Sequence, residues 1–229
     1  ASLNQLAPGR IDFGVGTGFT GRRTMGLGAM KLADMEEYIR VVCGLLDGEL
    51  LEAEFEGQNR KIRFLNPELG LINTEDPIPL HVSAFGPKSR ALLAKLGAGW
   101  INFVGDVETA VATLEDMRRI WTEAGRDIAD LTATEFALGC VLADGEPYDS
   151  PRAVAQAGPR AAVLLHRAAD EAIAGWPGFG GLPEAAAETV AGYVEHAKGY
   201  EPADARYLEN HRGHLMFVKA EELKYITAE

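Results

Sequence analysis

Over residues 10–17 (Arg-Ile-Asp-Phe-Gly-Val-Gly-Thr) apolar and polar residues alternate and then give way to glycines, the pattern of a strand running into a loop. From Lys31 to Asp47 the period changes. Leu32, Met35, Ile39, Val42, Leu45 and Leu46 recur at helical spacing, and Gly48 stands where a helix stop belongs. Residues 49–78 are irregular, with turn signals at Glu-Gly-Gln-Asn and Asn-Pro-Glu-Leu-Gly. They read as an insertion between βα units that holds one hairpin. Pro79 to Phe85 reads as a second strand, and Pro87 suits the first turn of a helix over about 88–97. Gly97 and Gly99 end that helix, and Trp100 to Val104 is a third strand. Asp106 is the N-cap of a helix reaching about Ala124, with Val107, Val111, Leu114, Met117, Ile120 and Trp121 along one face. A fourth strand is expected over 131–143 and an Ala-rich helix over 151–175. A last helix, over 183–199, follows the glycine-rich stretch Gly175–Gly181. Strands separated by helices imply parallel pairing, which leaves a doubly wound sheet and part of an eight-fold barrel both open. Residues 1–9 read as the last turns of a helix whose start is absent. The expectation is one domain over 1–229, an incomplete view of a longer barrel.

Composition narrows the function classes. The chain has 229 residues, 47% of them apolar and 24% charged, enough to bury a core and too apolar for disorder. Its 22 basic against 34 acidic residues leave a formal charge of −12, the wrong sign for nucleic acid or an anionic membrane surface. A small-molecule substrate is the expected partner. Cys43 and Cys140 sit in apolar surroundings, far apart, and read as buried free thiols of a reducing, cytoplasmic setting. There is no membrane-span-length apolar run and no signal-peptide pattern.

Gly16-Thr17-Gly18-Phe19-Thr20-Gly21 matches the dinucleotide-binding G-x-G-x-x-G. That fingerprint needs a helix starting at the glycines and a second strand ending in an acidic residue about 20 positions on. Here residues 20–30 read as a loop, and Asp34, Glu36 and Glu37 lie on a helix. The glycines then serve either a tight turn or a loop whose backbone approaches a ligand. The segment Ser83-Ala84-Phe85-Gly86-Pro87-Lys88-Ser89 carries more. A strand ends, small residues turn the chain, and a helix begins with unpaired N–H groups and a positive dipole end, which suits a phosphate. Ser83 and Ser89 offer hydroxyls and Lys88 a charge, although an ordinary capped junction has the same residues. Arg22 and Arg23 are either a solvated pair or substrate anion contacts. His81 lies in a strand and His166 mid-helix in a structural position. His211 and His214 are closely spaced without a third ligand nearby, so no metal site is assigned. G-x-S-x-G, H-E-x-x-H and P-loop motifs are absent.

Gly9-Arg-Ile-Asp-Phe-Gly-Val-Gly-Thr-Gly18, the Met25-Gly-Leu27 loop, the helix from Met35 to Gly48, and Val82–Ser89 with Leu93–Trp100 together resemble the luciferase-like monooxygenase superfamily. The resemblance is clear over residues 1–125 and looser over Tyr207–Leu215. It implies a (β/α)8 TIM barrel using coenzyme F-420, a deazaflavin, or reduced FMN, for hydride transfer or monooxygenation of a small organic substrate. Residues 10–17 would be the fourth strand. Ser83 to Ser89 would wrap the cofactor phosphate, Gly16, Thr17 and Gly18 would lie by its ring, and Phe19, Arg22 and Arg23 would face the substrate. The family's sugar-phosphate dehydrogenases carry a catalytic glutamate where this chain has Phe19. That disfavours sugar-phosphate oxidation and, with Phe85, gives an apolar wall. No catalytic residue is assigned, because the family's histidine would precede Ala1. A homodimer is a further expectation. The alternatives are a non-catalytic flavin-binding barrel and a Rossmann NAD(P)-dependent dehydrogenase.

Overall fold

The computed structural model describes residues 1–176, 182 and 184–226, apart from the Phe19 side chain. In chain order its elements are α1 (Ser2–Leu6), β1 (Phe13–Val15), α2 (Phe19–Arg23), α3 (Leu32–Leu46), β2 (Leu51–Phe55), β3 (Gln58–Ile62), β4 (Leu80–Ser83), α4 (Pro87–Leu96), β5 (Gly99–Phe103), α5 (Val107–Glu123), β6 (Ala133–Phe136), α6 (Pro151–Ala174), α7 (Ala187–Lys198), α8 (Arg206–Asn210) and α9 (Leu223–Ile226). The residues cluster into two compact units. Unit 1 holds Ala1–Thr17 and Met30–Ala137; unit 2 holds Gly18–Ala29 and Leu138–Glu229.

Unit 1 is an α/β layer. Its four-stranded sheet runs β1-β4-β5-β6, with Phe13 opposite Leu80, Val82 opposite Trp100 and Phe103 opposite Phe136, every pair parallel. The order never reverses, so the sheet lacks the switch point of a doubly wound fold. One face packs on α3, α4 and α5 through Met35, Ile39, Val82, Leu93, Trp100, Met117 and Trp121, all 2% exposed or less. The two buried indoles are satisfied: Trp100 Nε1 donates to Ala84 O at 2.8 Å and Trp121 Nε1 to Asp127 O at 2.7 Å. Each such ring contributes on the order of 5 kcal/mol of gross burial before its entropy cost. The helix ends follow local chemistry. Asp106 accepts from the Thr109 amide at 2.7 Å. Gly97 ends α4 in the left-handed region at φ 68°, and the Arg126 guanidinium lies over it, donating to the last-turn carbonyls of Ala94 and Lys95.

Several expectations need correction. The position where a dinucleotide fold requires a second strand is occupied by α3, which removes the Rossmann reading. Residues 20–30 are not wholly loop, since α2 forms at the glycines, but it stops after five residues. The fourth strand ends at Phe136 rather than 143. Its partner β5 ends at Phe103, the Val104 amide makes the last rung to Phe136 O at 3.1 Å, and residues beyond have no partner strand. The hairpin within 49–78 is present as β2–β3, joined by a two-residue turn at Glu56-Gly57. Cys43 and Cys140 are free thiols but half-buried, not buried. Burial, and then Asp47, pushes the Cys43 thiol up.

Unit 2 is helical. Ser150 caps α6, its hydroxyl accepting from the Ala153 amide at 3.1 Å, and Pro151 takes the first helical position. Leu165 and Ala169 of α6 pack against Tyr193 and Ala197 of α7 and against Tyr200, with Tyr225 and Ile226 of α9 at the margin. The glycine-rich stretch beyond Trp176 lies outside the described residues.

Candidate functional site

Parallel strands end on one edge of a sheet, and in unit 1 that edge carries the loops singled out by sequence. Gly16-Thr17 follows β1, and Ala84-Phe85-Gly86 follows β4. Because Val82, Ala84 and Trp100 face the helices, the alternation turns Ser83, Ile101, Phe103 and Phe136 to the opposite face. A Cβ on Gly16 would lie 3.2 Å from Ser83 Cβ, so the strand ends approach as closely as a glycine allows. The two segments are therefore neighbours in space although about 65 positions apart in the chain.

The turn after β4 is tightly specified. The Ala84 amide donates to Ile101 O at 3.2 Å, and Ala84 itself is fully buried. Phe85 swings out and is 42% exposed, Gly86 is extended, and Pro87 opens α4. The Gly86 amide donates to Ser89 Oγ at 3.2 Å, and that hydroxyl donates back to Gly86 O at 2.9 Å, so Ser89 acts first as the helix cap. The first-turn amides of Lys88 and Ser89 have no acceptor within the helix. Ser83 is half-buried and Lys88 is exposed. This donor set of amides, a hydroxyl and an ammonium has the chemistry to receive a phosphate.

An apolar pair that the sequence reading did not single out stands at the same edge. Phe103 and Phe136 end neighbouring strands in register and meet edge-to-face, with centroids 5.2 Å apart. Their place as the last position of each strand on the face away from the helices was the available signal. His81 shares the face of Ser83 but starts at the other end of β4, where its Nε2 lies 3.1 Å from Asp12 Oδ1. A recess of about 520 Å³ lined by Ile39, Arg40, Cys43, Ile78, Leu80 and Leu96 also lies near the amino end of β4, away from these loops.

The remaining residues of interest belong to unit 2. Gly18 is the N-cap of α2, which begins at Phe19; the Phe19 side chain is outside the described structure. Arg22 Nε donates to Gly28 O at 2.5 Å. Arg23 is 3% exposed, donates to Asp170 Oδ2 at 2.7 Å, and lies 5.0 Å from the centre of the Trp176 ring. Its charge is committed inside unit 2. Asp170 also accepts from Asn210 Nδ2 and faces His211 Nε2, both at 3.0 Å. Glu222 accepts from Tyr193 Oη at 2.9 Å and from Lys219 Nζ at 3.0 Å, and its Oε1 lies 2.6 Å from His166 Nε2. Burial alone would raise the Glu222 carboxyl, but the bonds from His166 and Lys219 outweigh it and hold it at about 2. Burial lowers His166 and, with the charges of His211 and His166, takes His214 down to about 4. The sequence shows no third partner for His211 and His214; the fold brings His166 of α6 beside them, across 45 positions of chain.

Residues 1–213 match the family described as luciferase-like monooxygenase. The chain belongs to this family. A search of curated proteins finds no match. Luciferase-like monooxygenase membership implies an oxidoreductase with a small-molecule substrate. Among the described residues of this luciferase-like chain, no helix is long and apolar enough to cross a membrane.

Proposed function

We propose that unit 1 is an arc of a (β/α)8 barrel whose carboxyl edge binds coenzyme F-420 or reduced FMN, and that the protein is an oxidoreductase acting on a small organic substrate. The observation that carries the reading is the contact of Gly16 with Ser83, which sets the two loops side by side at adjacent strand ends. The unreversed strand order supports the barrel. When bound, the cofactor supplies hydride transfer or, as a flavin, oxygen activation. The amides of Lys88 and Ser89, the Ser83 hydroxyl and the Lys88 ammonium hold the phosphate. Ala84, Phe85, Gly86 and Pro87 shape the turn that presents them, and Gly16, Thr17 and Gly18 border the ring. Phe85, Phe103 and Phe136 keep water from the reacting face. Arg23, tied to Asp170 within unit 2, positions α2.

The test is titration of the chain with oxidised FMN and oxidised F-420, followed by absorbance and fluorescence. Lys88→Glu is the clean variant, because its side chain is exposed whereas Ser89 also caps α4. It is expected to weaken binding about tenfold or more, the size of one charge-assisted hydrogen bond. Unchanged affinity in the folded variant, or no binding of either cofactor, overturns the site. Reoxidation of the reduced cofactors with a panel of acceptors then separates an enzyme from a binding protein that turns nothing over.

A further inference from the structure

We propose that His166, His211 and His214 form a three-imidazole site in unit 2 for a first-row divalent cation such as Zn²⁺. One nitrogen from each ring lies within 4.8 Å of the other two. The ring centroids stand 5.6, 5.8 and 5.2 Å apart, so the three imidazoles surround one point.

The outer nitrogens are already engaged. His166 Nε2 meets Glu222 Oε1 at 2.6 Å, His211 Nε2 meets Asp170 Oδ2 at 3.0 Å, and His214 Nε2 meets Thr20 Oγ1 at 3.2 Å. Metal-binding imidazoles are characteristically held this way, the second ring nitrogen donating to a carboxylate or hydroxyl behind it. Lys219 and Arg23 pair with the two carboxylates and keep them ionised. An ionised carboxylate only accepts, so His166 and His211 carry their protons on Nε2 and present bare Nδ1 lone pairs.

Two observations point those lone pairs towards a cation. His166 is fully buried, and its Nδ1 has no hydrogen-bond partner. His211 Nδ1 and His214 Nδ1 stand 3.2 Å apart, with the tautomer of His211 placing a lone pair between them. With the His214 proton on Nε2, facing Thr20, the two Nδ1 lone pairs face each other and a metal ion fits between them; with the proton on Nδ1, it bridges the two rings. A tetrahedral zinc ion with Zn–N bonds of about 2.0–2.1 Å has N···N edges of about 3.3–3.4 Å, close to this separation.

The ion ties α6 to the turn after α8. Its fourth ligand is water, and entry is past the half-buried His214. With Arg23 and Lys219 balancing Asp170 and Glu222, the ligands are three neutral rings, which suits zinc, copper, nickel or ferrous iron rather than calcium or magnesium.

The experiment strips the whole chain with a chelator, dialyses it against Zn²⁺ or Co²⁺, and measures retained metal with the Co²⁺ visible spectrum. One equivalent with tetrahedral Co²⁺ bands is expected, and His214→Gln should lower the affinity at least 100-fold while His81→Gln leaves it unchanged. Histidine ¹H–¹⁵N correlations of the unsubstituted protein provide a readout that needs no variant. On adding Zn²⁺ the Nδ1 signals of His166, His211 and His214 shift, and those of His81 and His196 stay. Less than a tenth of an equivalent retained, equal binding by a folded His214→Gln, or shifts confined to other histidines overturns the proposal and leaves a proton shared between His211 and His214.

Discussion

The two units bury different things. Unit 1 closes mainly over apolar side chains: its centre is Met35, Ile39, Leu93, Trp100, Met117 and Trp121, each indole N–H is met by one carbonyl, and its buried polar groups Asn4, Asn102 and Arg90, the last paired with Asp116, are fewer than those of unit 2. Unit 2 has a smaller apolar cluster around Leu165, Ala169 and Tyr193, and beside it Arg23, His166, Asp170, Asn210, His211, Lys219 and Glu222, each 4% exposed or less. An apolar core gains stability roughly in proportion to area and tolerates swaps of similar volume. A buried ionic network roughly breaks even against its desolvation cost while intact, and becomes expensive when one member is removed. Unit 1 is thus the scaffold that carries the loops, and unit 2 has a core whose integrity depends on charge state.

Acid separates the two most strongly. Glu222 and Asp170 both have carboxyls held below their ordinary values in the fold, Glu222 at about 2, so their stabilisation is complete above the unfolded value and is lost as pH falls through the folded one. For His166 and His214, burial depresses the folded value, so below pH 6.5 the unfolded chain takes up protons that the fold refuses. Both effects have the same sign. Lowering the pH from 7 towards 4 engages the histidines first, and from about 4.5 towards 2 the carboxylates. Hydrogen exchange should show α6 and α7 losing protection while α3 to α5 keep theirs; simultaneous loss would sink the contrast.

Removing one member of the network comes next. Glu222→Ala leaves Lys219 and His166 without their shared acceptor and is expected to cost about 3–5 kcal/mol, read as a lower midpoint in a denaturant curve. In unit 1, Leu93→Ala opens a cavity at a fully buried position and should cost about 3 kcal/mol, with no change in the acid profile of unit 2. A pH-dependent penalty there would show that the two cores are not independent. The smallest effect belongs to a helix end. Ser150→Ala removes the cap of α6 and should cost about 1 kcal/mol, a few degrees of melting temperature.

Local signals explain why unit 1 was the more legible. The helices over 32–46, 87–96 and 107–123 follow from apolar spacing, Gly48, Pro87, Gly97 and Asp106, all short-range features. The strand ends were less so, because the length of β6 is set by its neighbour rather than by its own residues. The site loops were visible as glycine- and serine-rich strand exits, yet nothing in either segment says that Gly16 touches Ser83. In unit 2, Arg23 reads in sequence as a solvated or ligand-binding charge, and only packing against α6 commits it to Asp170.

By itself, the sequence determined the alternation of strands and helices through the first half of the chain, the places where chain direction changes, and the net acidic charge. Periodicity and capping act within a few residues and survive in a linear text. Tertiary structure alone decided which buried charges meet: His166 with His211 and His214, and Lys219 with Glu222. A histidine or aspartate reads the same in water as in a core, and its chemistry is set by neighbours that folding brings from dozens of positions away.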